Sequence, residues 1–195
     1  MSEQTIPLFP LHTVLFPGGA LPLRVFEPRY LDMISSCMRN GSHFGVILIS
    51  EGSEVGKAAK TYPVGTLGEI TYFQQLKDGC LGITVRGVQR FNVRHSEVQP
   101  NELTVATVEL IPQEARHPLP ACYARMQNLL EEIFNQLGQP FTSLPKDYDD
   151  ACWVSSRLAE LLPISLMQKQ ALLQLDDPLH RLQKLDELLA KLDYR

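Results

Sequence analysis

Several functional classes are marked by features this 195-residue sequence lacks. No apolar run approaches the ~20 residues of a membrane span. The opening Met1-Ser-Glu-Gln-Thr5 is acidic and polar, without the basic-then-apolar order of a secretory leader. A cytoplasmic protein with no membrane partner is the expectation. Cysteine is sparse and dispersed: Cys37, Cys80, Cys122 and Cys152 form no Cys-x-x-Cys pair. That argues against zinc or redox use and predicts four reduced, mostly buried thiols. Positive charge is not in excess either. Lys and Arg total 18 against 22 Asp and Glu, a formal net charge of -4. Affinity for phosphate comes largely from clustered Lys and Arg, so no nucleic-acid partner is expected.

Catalytic signatures are missing as well. A phosphate-cradling loop needs glycine, four residues, then Gly-Lys-Ser/Thr. At Gly56-Lys57 it fails twice, because residue 51 is Glu and Ala58 follows the lysine. No Gly-x-Ser-x-Gly elbow occurs. Ser143-Leu-Pro-Lys146 has Ser-x-x-Lys spacing, but Pro145 sits inside it and the companion motifs are lacking. Asp147, Asp149 and Asp150 lack the glycine and closing Glu of a calcium loop and read better as helix caps. The five histidines show no ligand spacing, and His12 reads as packed and hydrogen-bonded. No catalytic residue, metal or cofactor is predicted.

What is present is a stiff apolar opening, Ile6 to Tyr30. Its prolines fix their own φ and push the preceding residues toward extended geometry. Extended segments are predicted at Ile6 to Leu8 and Leu21 to Phe26, separated by a Pro17-Gly18-Gly19 reversal. Val14, Leu15, Phe16, Leu21, Leu23, Val25 and Phe26 supply apolar surface. Pro28 opens a helix to Met38, stopped by Asn40-Gly41. The run His43 to Ser50 reads as a strand buried on both faces. Glu51 to Lys60 reads as an exposed loop, and Tyr62 to Gln75 as a strand with Gly65 and Gly68 as bulges or bends. Lys77-Asp78-Gly79 is a hairpin turn. Leu81 to Arg86 follows, broken by Gly87, then strands at Gln89 to His95 and Leu103 to Ile111. This is a small barrel or strongly curled sheet.

The pattern changes after Pro112. Gln113 to Pro120 reads as a linker and the rest as helices. One stripe holds Cys122, Met126, Leu129, Leu130, Ile133, Phe134 and Leu137. A second holds Trp153, Val154, Leu158, Leu161 and Leu162, capped by Asp149 or Asp150. Ser165 caps a third helix. Asp177-Pro178 opens the last, striped by Leu179, Leu182, Leu185, Leu188, Leu189 and Leu192.

Four segments carry a resemblance: the opening Pro-Leu-Phe-Pro-Leu through Leu-Arg-Val-Phe-Glu-Pro-Arg-Tyr30, Val64-Gly-Thr-Leu-Gly-Glu-Ile70, Leu81-Gly-Ile-Thr-Val-Arg-Gly-Val-Gln-Arg-Phe91, and the two closing helices. In this order they resemble the Lon-protease N-terminal domain family, departing at Gly68, where the family often has alanine. The resemblance implies an α+β protein, a PUA-like β lobe over 1–115 followed by a C-terminal helical bundle over 116–195. It implies recognition of an unfolded polypeptide or partner protein; the leucine stripe of the last helix leaves both monomer and homodimer open. Because the chain ends at Arg195 without the ATPase and protease regions, their activities are not expected. Rival readings are an RNA-binding PUA-like module and a small hydrolase.

Phe16, Arg24, Phe26, Arg29, Tyr30 and Arg90 are the candidate binding residues. Phe16, beside Pro17-Gly18-Gly19, is the expected exposed aromatic, whose polar substitution should weaken peptide binding without unfolding the chain. Phe9, Tyr30, Tyr72 and Phe73 are expected in the core. For Arg24, Glu27, Arg29, Arg86, Arg90 and Arg94 the expectation is strand-face charges or ion pairs that lock Glu27-Pro-Arg-Tyr30 to the sheet.

Overall fold

A computed structural model describes residues 3–138, 141 and 145–191. The chain divides into two compact units, Met1–Pro112 and Gln113–Arg195. The first holds β1 (Glu3–Leu11), β2 (Ala20–Val25), helix α1 (Pro28–Asn40), β3 (Phe44–Glu51), β4 (Lys60–Gln75), β5 (Leu81–Val98) and β6 (Thr104–Leu110). These strands form one mixed sheet in the order β2-β5-β4-β3-β1-β6, with β1 and β3 parallel and the other neighbours antiparallel. The sheet curls enough for the long β5 to pair with β6 as well. β2 stays at an edge, so the six strands make a curled sheet and not a closed barrel of all six.

Side-chain alternation along β1 splits the core in two. Phe9 and Leu11 join a cluster with Tyr30, Met33, Ile34 and Cys37 of α1 and with Phe44, Ile83 and Val85. Ile6 and Leu8 turn the other way, onto Ile47, Leu67, Phe91 and Val108. β3 serves both clusters, which is why its sequence is one unbroken apolar run. Helix α1 starts at Pro28, where the missing N–H costs no hydrogen bond. It ends at Gly41, whose φ of 60° returns an N–H to Cys37.

Four expectations need correction here. β5 does not break at Gly87. It runs through, because the glycine lets another backbone approach: a Cβ there would lie 2.2 Å from the Phe16 carbonyl oxygen. Gly87 instead exchanges hydrogen bonds with the turn, donating to Gly19 (3.0 Å) and accepting from Gly18 (2.8 Å). Tyr72 and Phe73 are exposed, because they sit at the end of β4 where the hairpin runs past its cover. His12 is exposed, and its backbone N–H donates to Glu54 (2.6 Å). Of the cysteines only Cys37 is buried; Cys122 is exposed and the other two are intermediate.

The second unit holds a short 3-10 turn (Ala121–Tyr123), α2 (Ala124–Gln136), α3 (Ala151–Leu161), α4 (Leu166–Leu173) and α5 (Pro178–Lys191). Met126, Leu130 and Phe134 of α2, Val154 and Leu158 of α3, and Leu182, Leu185 and Leu189 of α5 are buried. Asp150 caps α3 by accepting from the Cys152 N–H, and Ser165 and Gln168 form a capping box on α4. Gln113 to Pro120 is no loose linker. Leu119 donates to Asp149 (2.8 Å), Ala151 donates to His117 (2.8 Å), and Glu114 is ion-paired to a fully buried Arg181. Arg181 also reaches the carbonyls of Leu172 and Leu175 and the hydroxyls of Ser155 and Ser156. Among the described residues no helix is long and apolar enough to cross a membrane.

Candidate functional site

The first unit carries a groove of about 180 Å3 beside β2. Pro22, Leu23, Arg24, Val25 and Phe26 all line it. Successive residues of a strand point to opposite faces. Five in a row can border one groove only if it follows the strand's edge. Hydrogen bonding agrees. The Gly87-to-Gly19 bond sets the ladder's phase, and the register continues from Ala20↔Arg86 to Val25↔Leu81. Hydrogen-bonded pairs alternate along an antiparallel ladder, so Leu21, Leu23 and Val25 face β5. Pro22 and Arg24 turn their backbone groups outward. Proline thus stands where an N–H would point to solvent, as edge strands tolerate. The edge keeps the carbonyls of Pro22 and Arg24 and the Arg24 N–H.

The floor is apolar. Phe9 of β1 stacks on Tyr30 of α1, with ring centroids 4.2 Å apart, and Leu11, Leu23 and Val25 complete it. Phe26, at the end of β2, is 54% exposed. Val55, from the loop after β3, stands exposed on the other side.

Arg24, Glu27 and Glu54 are the charged residues that line the groove, and Arg29 is buried beside it. Its guanidinium lies 4.5 Å above the Tyr30 ring and 3.0 Å from Glu27 Oε2. It donates to the carbonyls of Glu102 (2.7 Å) and Glu54 (3.4 Å). Glu102 adopts a left-handed φ of 66°, uncommon for a residue with a side chain. Its carboxylate accepts from the Ala58 N–H (3.0 Å). Arg29 therefore ties the start of α1 to two loops. Burial pushes the Tyr30 hydroxyl up to about 12; Arg29 opposes the rise, while Glu27 and Glu54 add to it. Arg24 turns to Asp78 in the β4–β5 turn. The Cys80 amide chiefly, helped by Arg24, holds the Asp78 carboxyl below its ordinary value.

The six expected binding residues are thus divided. Arg24, Phe26 and Tyr30 line the groove, and Arg29 is buried against Tyr30. Phe16 is a correction: it is 1% exposed, because the Pro17-Gly18-Gly19 turn folds inward onto Gly87. Arg90 is also buried, opposite Thr66 in the sheet and away from the groove. Phe26, a candidate binding residue that also belongs to the apolar supply of the opening stretch, stands exposed at the groove. Arg86 and Arg94 pair with Glu69 and Glu109 on strand faces. Phe9, Leu23, Glu54 and Val55 were missed as groove residues. Val55 had a signal, a lone large apolar side chain in a polar loop; Glu54 had none. Ser143 lies outside the described residues. No group of three or more His, Cys, Asp or Glu placed to hold a metal occurs among the described residues. The groove offers backbone hydrogen bonds, apolar contact and two carboxylates.

A curled α+β sheet followed by a helical unit is an architecture with known relatives. A family model described as the substrate-binding domain of ATP-dependent protease La (LON) matches residues 5–191. The chain belongs to this family. It is 28% identical over 202 residues to Lon protease 1 of Myxococcus xanthus, covering 95% of this chain and 24% of that protein. With the Lon protease of Parabacteroides distasonis it is 25% identical over 183 residues, covering 89% and 22%. The chain spans about a quarter of the length of the curated relatives it matches. A crystal structure of a Lon N-terminal domain protein from Xanthomonas campestris aligns with a TM-score of 0.78 at 40% identity, covering 96% of this chain and 98% of that one. The N-terminal domain of the Mycobacterium avium complex Lon protease aligns at TM-score 0.65 and 14% identity, a likeness of fold alone.

Proposed function

We propose that this protein is a non-catalytic polypeptide-recognition module that binds extended segments along the outer edge of β2. The observation that carries this reading is the groove lined by five successive residues, Pro22 to Phe26, with Phe26 exposed at its end. A bound segment adds a strand to the edge, as in other strand-addition complexes. Its backbone meets the outward groups of Pro22 and Arg24, and its apolar side chains enter the Phe9–Tyr30 floor. The proline removes one donor from the edge, which limits pairing between copies of the chain. Membership of a substrate-binding domain family supports the same reading. Catalysis by the Lon proteases is not carried over, because the groove supplies contacts and no nucleophile with a base.

The test is fluorescence anisotropy with a labelled unfolded polypeptide and a labelled single-stranded RNA, titrated side by side. Saturable peptide binding without RNA binding is expected. Phe26→Ser, at an exposed position, should leave the fold intact and weaken peptide binding about tenfold or more, the scale of burying one aromatic side chain. RNA binding alone, or unchanged peptide affinity in the folded variant, would overturn the reading. Peptidase activity that tracks the protein peak would overturn its non-catalytic part.

A further inference from the structure

Charge at the groove narrows what it selects. Glu27 and Glu54 both line it beside the aromatic floor. Glu27 uses Oε2 for Arg29 and for the Gly56 N–H (3.4 Å), and Glu54 uses Oε1 for the His12 N–H. The other oxygen of each carboxylate has no partner among the described residues. Of the nearby cations, Arg29 is buried and engaged by Glu27 and two carbonyls. Arg24 is drawn to Asp78. Arg29 answers Glu27 and Asp78 answers Arg24, so Glu54, with no cation paired to it among the described residues, leaves the balance at the groove negative.

We propose that the groove selects extended segments in which a bulky apolar residue is flanked by Lys or Arg. This rests on the polypeptide-binding reading above. The apolar side chain enters the floor between Tyr30 and Phe26, and a neighbouring ammonium or guanidinium meets the open oxygens of Glu54 and Glu27. An acidic flank meets like charge and is disfavoured, so selection works by repulsion as well as attraction.

The experiment uses three short labelled peptides with one shared Leu/Phe-rich centre, flanked by Lys, by Gln or by Glu, titrated against the full chain. The Lys-flanked peptide should bind roughly fivefold tighter than the Gln-flanked one at low salt, the size that partly exposed charge contacts give. The Glu-flanked peptide should bind weakest. The spread should shrink as salt is raised through roughly 0.1 to 0.5 M, where screening shortens to a few ångströms. Glu54→Gln keeps an oxygen for the His12 N–H and should narrow the Lys-to-Gln ratio. Equal affinity for all three peptides, or a spread indifferent to salt, overturns this inference and leaves the polypeptide-binding reading standing. If none of the three binds, both fall.

Discussion

Replacing Gly87 with alanine tests how the groove strand is held. The backbone at Gly87 is ordinary, so the effect comes from size. The new Cβ would stand 2.2 Å from the Phe16 oxygen and 3.0 Å from the Phe16 carbonyl carbon. Both are backbone atoms and cannot swing aside. Phe16 and Leu15 are buried, and the Leu15 carbonyl accepts from Thr66 Oγ1 at 2.6 Å, so the segment is pinned from behind. Relief requires moving the Phe16–Gly19 turn away from β5. That breaks the Gly87-to-Gly19 and Gly18-to-Gly87 bonds, about 1 kcal/mol each. Loosened packing of Leu15 and Phe16 adds a further ~1–2 kcal/mol. Against this stands a gain of ~0.4–1 kcal/mol from a stiffer unfolded chain. The net expectation is a loss of about 2–3.5 kcal/mol. Gly82→Ala is the control on the same strand. Its Cβ would meet only side-chain atoms, Leu76 at 3.0 and 3.3 Å and Gln74 at 3.4 Å, for a cost under ~1 kcal/mol. Urea unfolding followed by far-UV circular dichroism gives both values. Hydrogen exchange at Leu21, Leu23 and Val25 reports β2 directly, and should quicken in Gly87→Ala alone. A Gly87→Ala variant within about 0.5 kcal/mol of wild type, with β2 still protected, refutes the reasoning.

Three further outcomes follow from buried groups. Phe16→Ser should cost about 3–5 kcal/mol and lower the melting temperature, so any loss of binding would come through unfolding. Arg181→Ala should destabilise the helical unit by about 3–5 kcal/mol, because Glu114 loses its counter-charge and two carbonyls lose a donor; urea titration of the fluorescence of Trp153, which stacks at 5.7 Å on Phe134, reads this out. Tyr30 is raised to about 12 in the fold against an ordinary ~10. A raised pKa means stability that is full below pH ~10 and is lost as pH climbs toward 12, about 2–3 kcal/mol in all. Tyr30→Phe should flatten that part of the alkaline stability curve, and an unchanged curve would refute the assignment.

Much of the fold was legible because its signals are local. Glu27-Pro28 and Asn40-Gly41 mark the ends of α1 to within two residues. Asp78-Gly79 makes the β4–β5 turn by the expected means: the carboxylate accepts from the Cys80 N–H and the glycine takes φ 84°. Asp150, Ser165 and Asp177 cap as their positions suggested. The illegible parts depend on partners far along the chain. Arg181 occupies a buried place on the α5 stripe beside Leu182 and Leu185. A charge there reads as a helix edge until Glu114 and two carbonyls are brought to it.

The aromatic residues of the opening stretch show the same limit at the candidate site. Phe16 precedes Pro-Gly-Gly, the signal of an exposed reversal, and Phe26 ends an apolar strand, the signal of a core position. The fold buries Phe16 and exposes Phe26, for a common reason. The reversal is drawn inward because Gly87 has no side chain to keep it out, and that approach fixes the ladder between β2 and β5. Fixing the ladder leaves Pro22 and Arg24 pointing outward and carries the chain past Val25 to the end of the sheet, where Phe26 has no strand to cover it. A glycine that reads locally as a strand break thus sets which phenylalanine is buried and which borders the groove. Gly87→Ala should therefore weaken peptide binding along with stability, whereas Gly82→Ala should leave both nearly unchanged. Full peptide affinity in a variant whose β2 amides exchange freely would detach the groove from the strand edge.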